Sequence, residues 1–375
     1  MAGFYIHIPF CRKACHYCNF HFSTSLQHAP QVLNAIEKEI QIRSSEATEE
    51  ITTIYFGGGT PSLVDIAAIR SILTSIRKYY IIHPNAEITL EANPDDISKE
   101  KAKGWKDIGI NRFSLGIQSF DDNYLQWMNR AHNASQSFRA IDIIRETGFE
   151  NFSIDLIYGT PGQSTAGWKK DIQTAIALNI PHLSCYALTV EEKTPLHYLI
   201  LKGEKEQVNT DEQADRFQLL MELSSPAGYH HYEISNLALP GYESKHNSAY
   251  WEGIPYIGIG PSAHSYDGIK RKWNIANNTS YLNGILNNTP FSEEETLNDN
   301  DRFNEYCMTA IRRSKGIEKQ KIIALGGDNR LSTIRSMILP FIESNKVIED
   351  ELGWKLTNEG KFFADGIASS LFIMD

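Results

Sequence analysis

Residues 51–79 read ITTIYFGGGTPSLVDIAAIRSILTSIRKY, and the order of patterns within this stretch decides the fold. Residues 51–58 are rich in β-branched and aromatic side chains, which predicts a strand. From Ile66 to Ile76 apolar residues recur at steps of three or four, which predicts one face of a helix. A strand followed by a helix is the repeating unit of a parallel sheet, so we expect a parallel sheet here.

The same unit recurs through the first 235 residues of the chain. The predicted strands are 4–10, 51–58, 87–93, 112–119, 151–159 and 182–189, and the predicted helices are 32–43, 66–79, 98–108, 137–147 and 167–178. This alternation predicts an α/β fold, either a partly closed (β/α) barrel or an open doubly wound sheet. In both architectures functional residues gather at the carboxyl ends of the strands.

Changes in composition and periodicity along the chain divide it into three regions. Residues 1–235 form the predicted β/α domain. Residues 236–300 are rich in Gly, Pro, Asn and aromatic residues, which predicts an irregular segment packed against it. Residues 301–375 return to helical patterns with short strands, which predicts a small winged-helix-like α+β domain.

Composition excludes several classes of protein. The chain has 375 residues, of which 41% are hydrophobic and 22% charged, and this excludes a disordered chain. A net charge of −10 disfavours nucleic acid as a partner. No apolar run reaches the ~20 residues of a membrane span. The beginning, MAGFYIHIPF, lacks the features of a signal peptide, so we expect a cytoplasmic protein.

Three of the five cysteines lie close together, at Cys11, Cys15 and Cys18. In a cytoplasmic protein such clustering indicates a metal or redox site rather than a disulfide framework. Cys185 and Cys307 stand alone in apolar stretches, where we expect buried core residues.

Two metal centres fit this cysteine spacing. Three thiolates from one loop can hold three irons of a cubane iron–sulfur cluster and leave the fourth iron open to another ligand. The alternative is zinc, with His7, His16 or His21 as the fourth ligand. Structural zinc sites usually draw their ligands from two segments, so a single loop favours the cluster.

Polar residues lie at the carboxyl ends of four predicted strands and within a fifth, the strand 151–159. They are Cys11, the segment 57–61 (GGGTP), the segment 91–94 (EANP), Gln118 and Asp155. The glycine run permits close approach of backbone to a ligand, but it is not a phosphate-binding loop because no Gly-Lys-Ser/Thr follows. We therefore expect these five segments to meet at one binding site.

These motifs together resemble those of a known family. The cysteine loop followed by GGGTP resembles the radical S-adenosylmethionine (SAM) superfamily. The wider set resembles the oxygen-independent coproporphyrinogen III oxidase family and comprises YIHIPFC (5–11), GGGTPS (57–62), EANP (91–94), RFSLGIQSF (112–120), NR (129–130) and IDLIYGTPG (154–162). The resemblance covers nearly the whole chain and implies a partial (β/α)6 radical SAM barrel.

The resemblance also implies roles for individual residues. Cys11, Cys15 and Cys18 would ligate a 4Fe-4S cluster, and Tyr5, Gly58 and Glu91 would contact the iron-bound SAM. The positions that match the rest of the SAM cavity, which holds a second SAM in the oxidases, are Tyr17, Gly59, Thr60, Gln118, Arg130, Asp155 and Ala187.

The chemistry of four of these residues supports those roles, and each has a simpler alternative. Glu91 can accept hydrogen bonds from ribose hydroxyls, or it can be an exposed carboxylate. Arg130 offers a forked donor for a carboxylate, or it can form a surface ion pair. Asp155 lies in an apolar run, where an unpaired carboxylate is costly, so a ligand is its expected partner. Gln118 can equally satisfy backbone groups.

Two departures from the oxidases point to the heme chaperone branch of the same family. The oxidases carry a further cysteine two residues after the third, and that position is Phe20 here. The oxidases also begin with an N-terminal extension before the His-Ile-Pro motif, whereas this chain starts a few residues before its own, at His7. The branch instead carries a heme-associated HNxxYW motif, which this chain matches with His246, Tyr250 and Trp251.

The HNxxYW residues can bind heme by simple chemistry. An imidazole can ligate heme iron, and aromatic rings can cover the macrocycle. Taken without the resemblance, the same residues are typical of an anchored loop, and His230, His231 and His264 are rival ligands. The resemblance favours His246.

Two functions follow from the resemblance. The favoured one is a heme chaperone that binds the cluster, SAM and heme and delivers heme to acceptor proteins, with respiratory and membrane-associated proteins as candidates. The alternative is an oxidase of porphyrin biosynthesis, a coproporphyrinogen dehydrogenase that decarboxylates propionates through a 5′-deoxyadenosyl radical. Phe20 and the HNxxYW motif favour the chaperone.

Overall fold

The computed structural model describes residues 2–46 and 49–374, and strand–helix units form its first part, as the sequence predicted. The strands are β1 (Ala2–Ile8), β2 (Ile51–Gly58), β3 (Ile82–Ala92), β4 (Arg112–Gln118), β5 (Phe152–Tyr158), β6 (His182–Ala187), β7 (His230–Glu233), β8 (Asn236–Ala238), β9 (Tyr256–Ile259), β10 (His264–Tyr266), β11 (Lys270–Asn274), β12 (Ser292–Thr296), β13 (Ile317–Glu318), β14 (Val347–Glu349) and β15 (Gly353–Leu356). The helices are α1 (Ala29–Ile42), α2 (Ile66–Tyr79), α3 (Lys99–Ile108), α4 (Asp122–Trp127), α5 (Ala134–Glu146), α6 (Thr165–Ala177), α7 (Pro195–Leu201), α8 (Thr210–Ser224), α9 (Lys245–Trp251), α10 (Asn278–Asn287), α11 (Asp299–Ile311), α12 (Lys319–Glu343) and α13 (Ala364–Ser370).

One sheet of 12 strands carries most of the molecule, in the order β12-β11-β10-β9-β1-β2-β3-β4-β5-β6-β8-β7. Strands β1 to β6 are neighbours in chain order and run parallel, and β9 joins β1 in parallel. The remaining pairs are antiparallel. The sheet is open, with β12 and β7 at its edges, so the predicted partial barrel is confirmed.

The helices cover the outer face of this sheet with the apolar faces that the sequence predicted. In α2 the buried residues include Ile69, Leu73 and Ile76, which recur at helical spacing. Helix α3 begins after Ser98, whose side chain accepts the Lys101 N–H. These side chains share one core with the outward-facing residues of the strands.

The segment 236–300 contributes short strands to the sheet. Strands β9 to β12 extend the sheet beyond β1, and glycines with positive φ, including Gly253, Gly260 and Gly268, turn the chain between or beside them. Strands of three to five residues are too short to show a clear alternation. For this reason the sequence indicated loops where the structure has strands joined by loops.

A buried ion pair at the carboxyl end of α1 fixes this segment to the barrel. Arg43 Nη1 lies 3.1 Å from Glu39 Oε1, and both side chains are almost fully buried. Arg43 also donates to the carbonyl of Gly258 at 2.7 Å. The Glu39 carboxylate accepts from the Gly260 N–H at 2.8 Å and the Tyr281 hydroxyl at 2.6 Å. The pair thus satisfies polar groups on β9 and α10 that would otherwise be buried without partners.

Helices and a small sheet form the C-terminal region, as predicted. Helices α11 to α13 and the sheet β13-β15-β14 surround Trp354 and Ile338 in a core of their own. The separate core supports a boundary near residue 300, and the limits 1–235, 236–300 and 301–375 stay predictions. None of the helices in the described ranges combines the length and apolar composition that crossing a bilayer requires.

We expect Glu39→Ala to lower the free energy of unfolding by about 3–5 kcal/mol, because it leaves the buried donors of Gly260 and Tyr281 without an acceptor and removes one of the two carboxylates paired with Arg43. Denaturant unfolding followed by circular dichroism measures this change. Glu37→Ala, on the same helix but partly exposed, is the matched control and should cost less than about 1 kcal/mol. Equal effects of the two substitutions would show that the pair does not hold the segment.

Candidate functional site

A cavity of about 500 Å³ lies inside the open barrel, on the face that the helices do not cover. It brings together most of the residues that the sequence singled out. The predicted residues that line it are Cys11, Cys15, Tyr17, Cys18, Gly58, Gly59, Thr60, Glu91, Gln118, Arg130, Asp155 and Ala187. The strands and the cysteine loop therefore meet at one site.

Strand alternation explains why this cavity is polar. On β4, Arg112, Ser114 and Gly116 line the cavity, while Phe113 and Leu115 between them are buried in the core. Strand β5 repeats the pattern, with Ser153 and Asp155 on the cavity side. A closed barrel fills its interior with packed apolar side chains, so this polar interior is suited to a polar ligand instead.

The loop after β1 carries the three cysteines, and all three are free thiols. Cys11 Sγ accepts from the Thr60 hydroxyl at 3.5 Å, and Cys15 Sγ accepts from Arg130 Nη1 at 3.3 Å. Burial raises the pKa of Cys11, and it raises the pKa of Cys18 to about 12. Without a bound cation these two thiols hold their protons, so metal binding at the loop would release protons.

No group of three or more His, Cys, Asp or Glu side chains in residues 2–46 and 49–374 is arranged to hold a single metal ion. In a cubane cluster each cysteine binds a different iron, so the thiolates need not converge on one point. The cysteine loop is compatible with such a cluster.

The guanidinium of Arg130 joins the cysteine loop to the strands. Its Nη2 donates to Asn93 Oδ1 at 2.6 Å and to the Gly116 carbonyl at 2.8 Å. Its Nη1 contacts Cys15 and the Tyr17 hydroxyl, the latter at 3.4 Å. Protein groups thus occupy most of the fork that the sequence analysis assigned to a ligand.

Glu91, at the carboxyl end of β3, is oriented by two donors. The Tyr55 hydroxyl donates to Glu91 Oε1 at 2.9 Å, and the Gly58 N–H donates to Oε2 at 3.2 Å. Burial, together with the charge of Asp155, raises the pKa of Glu91 to about 7. Burial also raises the pKa of Asp155 to about 6, and the Ser114 hydroxyl contacts its Oδ1 at 3.3 Å.

The glycine run brings backbone close to this carboxylate. Gly58 has φ of +105°, and a Cβ there would lie 2.6 Å from the His7 ring. A Cβ on Gly59 would lie 2.6 Å from the Phe10 carbonyl oxygen. Only glycine fits these positions, because the backbone at the end of β2 packs closely against His7 and Phe10, and this backbone also lines the cavity.

Gln118 ends β4 in an unusual conformation. Its φ is +68°, in the left-handed region that non-glycine residues seldom adopt. Such residues cluster at functional sites, because the surrounding structure must hold them in place.

Four predicted residues, Tyr5, His246, Tyr250 and Trp251, are not part of the lining of the described cavity. The Tyr5 hydroxyl is within hydrogen-bond distance of His7 Nδ1, at 3.1 Å, behind the glycine run. Trp251, at the end of α9, lies against the Arg312 guanidinium, 5.8 Å from its ring centroid. The last two, His246 and Tyr250, form a separate arrangement next to the cavity.

His246 is 1% exposed, and both of its ring nitrogens have partners. Nδ1 lies 2.8 Å from the Thr53 hydroxyl, and Nε2 lies 2.9 Å from the Tyr250 hydroxyl. The ring stacks on Tyr55 with centroids 5.0 Å apart. Burial, together with the charge of Arg112, lowers the pKa of His246 to about 3, so the imidazole is neutral.

Tyr55 therefore links two sites that the sequence analysis treated separately. Its hydroxyl contacts Glu91 in the cavity, and its ring contacts His246 on α9. Tyr55 and Arg112 also line the cavity, although no sequence pattern assigned them a role, and so does Asn93 of the segment 91–94. The alternation along β4 carried the signal for Arg112, because Arg112 lies on the same side as Gln118.

Comparison with known proteins agrees with this architecture. The family profile described as "Radical SAM superfamily" matches residues 5–175. The chain is 33% identical over 98% of both chains to the protein of Bacillus subtilis (strain 168) named "Heme chaperone HemW". It is 32% identical to the Escherichia coli (strain K12) protein of the same name, over 97% of this chain and 96% of that one.

A solved structure shares the fold. The coproporphyrinogen III oxidase HemN from Escherichia coli, described as a radical SAM enzyme, superposes with a TM-score of 0.83. The match covers 99% of this chain and 90% of that one, at 23% identity. At this identity the likeness shows the fold alone. Because full-length relatives above 30% identity share one name, the chain belongs to the heme chaperone HemW family within the radical SAM superfamily.

Proposed function

We propose that this protein is a heme chaperone that binds a 4Fe-4S cluster, SAM and heme and delivers heme to acceptor proteins in the cytoplasm. The observation that carries the proposal is the end-to-end similarity to proteins named heme chaperone HemW. Respiratory and membrane-associated heme proteins are the proposed acceptors. The oxidase alternative has the support of a shared fold only, because HemN is 23% identical to this chain.

The cysteine loop supports the cluster part of the proposal. Its three thiols lie at the cavity, two of them in contact with Thr60 and Arg130. We propose Cys11, Cys15 and Cys18 as the ligands of three irons. In radical SAM proteins the reduced cluster supplies an electron to SAM. Arg130 would stabilise the thiolate of Cys15 by its positive charge.

The glycine run and Glu91 support the SAM part of the proposal. We propose that the backbone at Gly58 and Gly59, which lines the cavity, holds the methionine end of SAM and that Glu91 accepts from the ribose hydroxyls. Its present donors, Tyr55 and the Gly58 N–H, orient the carboxylate toward the cavity. Tyr17, Gln118, Asp155 and Ala187 are proposed to line the remaining space, which a second SAM could occupy.

The HNxxYW motif sets a condition for the heme part of the proposal. His246 Nε2 is engaged by the Tyr250 hydroxyl, so iron could bind this nitrogen only after that hydrogen bond breaks. Net of solvent, such a bond contributes about 0.5–1.5 kcal/mol, which is small beside an iron–imidazole bond. We therefore propose that heme binding at His246 includes a movement of Tyr250, with Trp251 covering part of the macrocycle.

Anaerobically reconstituted protein should contain about four irons per chain, because the loop supplies three thiolates for a cubane cluster. Cys15→Ser should abolish the cluster absorption and the bound iron. The matched control is Cys307→Ala, since Cys307 is buried in the separate C-terminal core. Iron and sulfide analysis measures the effect. Stoichiometric zinc without iron would contradict the cluster.

The affinity for SAM should fall as the pH drops from 8 to 6, because Glu91, with a pKa of about 7, then gains a proton and loses acceptor strength. Glu91→Ala should weaken SAM binding at least about tenfold at pH 8, since a hydrogen bond to a charged group contributes roughly 1.5–3 kcal/mol. Isothermal titration with the reconstituted protein measures both effects.

Glu91→Gln serves as the matched control in this experiment, because an amide accepts hydrogen bonds but does not titrate. Its SAM affinity should vary less with pH than that of the wild type. A wild-type affinity that stays constant over this range would mean that Glu91 does not contact SAM.

Hemin binding should respond to both members of the His246–Tyr250 pair. His246→Ala should shift or remove the Soret band of bound heme, and Tyr250→Phe should strengthen binding up to about tenfold by releasing Nε2. Absorption titration under reducing and oxidising conditions measures both. His264→Ala, at the rival histidine, is the control and should bind as the wild type does.

The outcomes separate three arrangements. Weaker binding by Tyr250→Phe would make the phenol oxygen, rather than His246, the iron ligand. Indifference to both substitutions would place heme elsewhere. Steady conversion of coproporphyrinogen by the wild-type protein with cluster, SAM and reductant would return the assignment to the oxidase.

A further inference from the structure

Arg112, the first residue of β4, is a buried residue of the cavity. Its side chain is 1% exposed and lines the cavity. Among residues 2–46 and 49–374 it makes no hydrogen bond or ion pair, and its Nε is buried and unsatisfied. A buried guanidinium without hydrogen-bond acceptors is costly, because its N–H groups have lost water and gained no acceptor in return.

The other buried arginines of the barrel show the usual arrangement. Arg43 is paired with two glutamates, and Arg216 is paired with Glu212. Arg130, which is partly buried and lines the cavity, donates to Asn93 and to the Gly116 carbonyl. Arg112 differs from all three, although it is as deeply buried as Arg43.

The protein's own carboxylates do not complete this site. Asp155 lies beyond ion-pair distance of Arg112 and accepts from Ser114 instead. The charge of Arg112 offsets only part of the rise in the pKa of Asp155 that burial causes. Glu87 accepts from the backbone N–H groups of Lys245 and His246 at 3.3 and 3.1 Å. The carboxylates of Asp155 and Glu87 therefore accept from other groups. The Arg112 guanidinium remains available to a ligand that enters the cavity.

A second unsatisfied group lies beside Arg112. Thr89 on β3 pairs with Arg112 in the register of the sheet, so the two residues share the cavity-facing side. Thr89 is 0% exposed, and its hydroxyl also lacks a hydrogen-bond partner in the described part of the chain. A guanidinium fork next to a hydroxyl donor is a set of donors without an acceptor, which suits a carboxylate.

We propose that Arg112 anchors a carboxylate of the ligand that enters the barrel cavity. Two sources have this chemistry, a propionate of a tetrapyrrole and the carboxylate of the methionine part of SAM. In either case the inference deepens the proposed function and rests on it. Arg112 lies at the amino end of β4, below Glu91 and Gln118 at the strands' carboxyl ends, so it would fix the depth to which a carboxylate reaches.

The test compares Arg112→Met with wild type in binding titrations of the reconstituted protein. If a propionate is the partner, Arg112→Met should bind hemin at least about tenfold more weakly than the wild type. Hemin dimethyl ester has blocked propionates, so the variant and the wild type should bind it equally. If SAM is the partner, the same loss should appear with SAM and be absent with decarboxylated SAM. Arg139→Met, which removes the same charge from the exposed face of α5, is the control and should change neither affinity.

Unfolding of the ligand-free variant distinguishes a binding role from a structural one. Removing an unpaired buried charge should leave the denaturation midpoint unchanged or raise it. A lower midpoint, or hemin and SAM affinities equal to those of wild type, would overturn the proposal. Wild-type protein that binds SAM but not hemin would instead defeat the heme chaperone function, and the SAM arm would then decide the role of Arg112.

Discussion

The alternation of side chains along six parallel strands is the constraint on which the rest of this structure depends. Each strand from β1 to β6 places every second residue against the helices and the others toward the interior of an open barrel. The helix side is apolar and forms the main core. The interior side carries Glu91, Arg112 and Asp155, and Arg130 joins them from the connection between α4 and α5, so the barrel encloses a charged cavity rather than a packed core.

Such an interior destabilises the ligand-free protein and favours the binding of a ligand. Burial raises the pKa of Glu91 and of Asp155, which means that the cavity disfavours two ionised carboxylates together. In the part of the chain that the structure describes, Arg112 Nε has no hydrogen-bond acceptor. A bound ligand with hydroxyl donors and a carboxylate would supply what each of these groups lacks, so part of the binding free energy would come from relieving them.

The segment 236–300 connects this cavity to the rest of the molecule. The Glu39–Arg43 pair fixes its strands to α1, and α9 packs His246 against Tyr55. Tyr55 in turn donates to Glu91. The HNxxYW motif and the proposed SAM site thus share the side chain of Tyr55. A ligand that moves Tyr55 would change the contacts of both His246 and Glu91.

The sequence by itself determined the six β/α units, because strand and helix periods of two and 3.6 residues are local properties. It also placed Cys11, Glu91 and Asp155 in one cavity, since parallel strands end at the same edge. The tertiary structure alone decided the strands of segment 236–300, the partners of His246 and the isolation of Arg112. Each of these depends on contacts between residues far apart in the chain, such as Thr53 with His246, and no local pattern encodes those contacts.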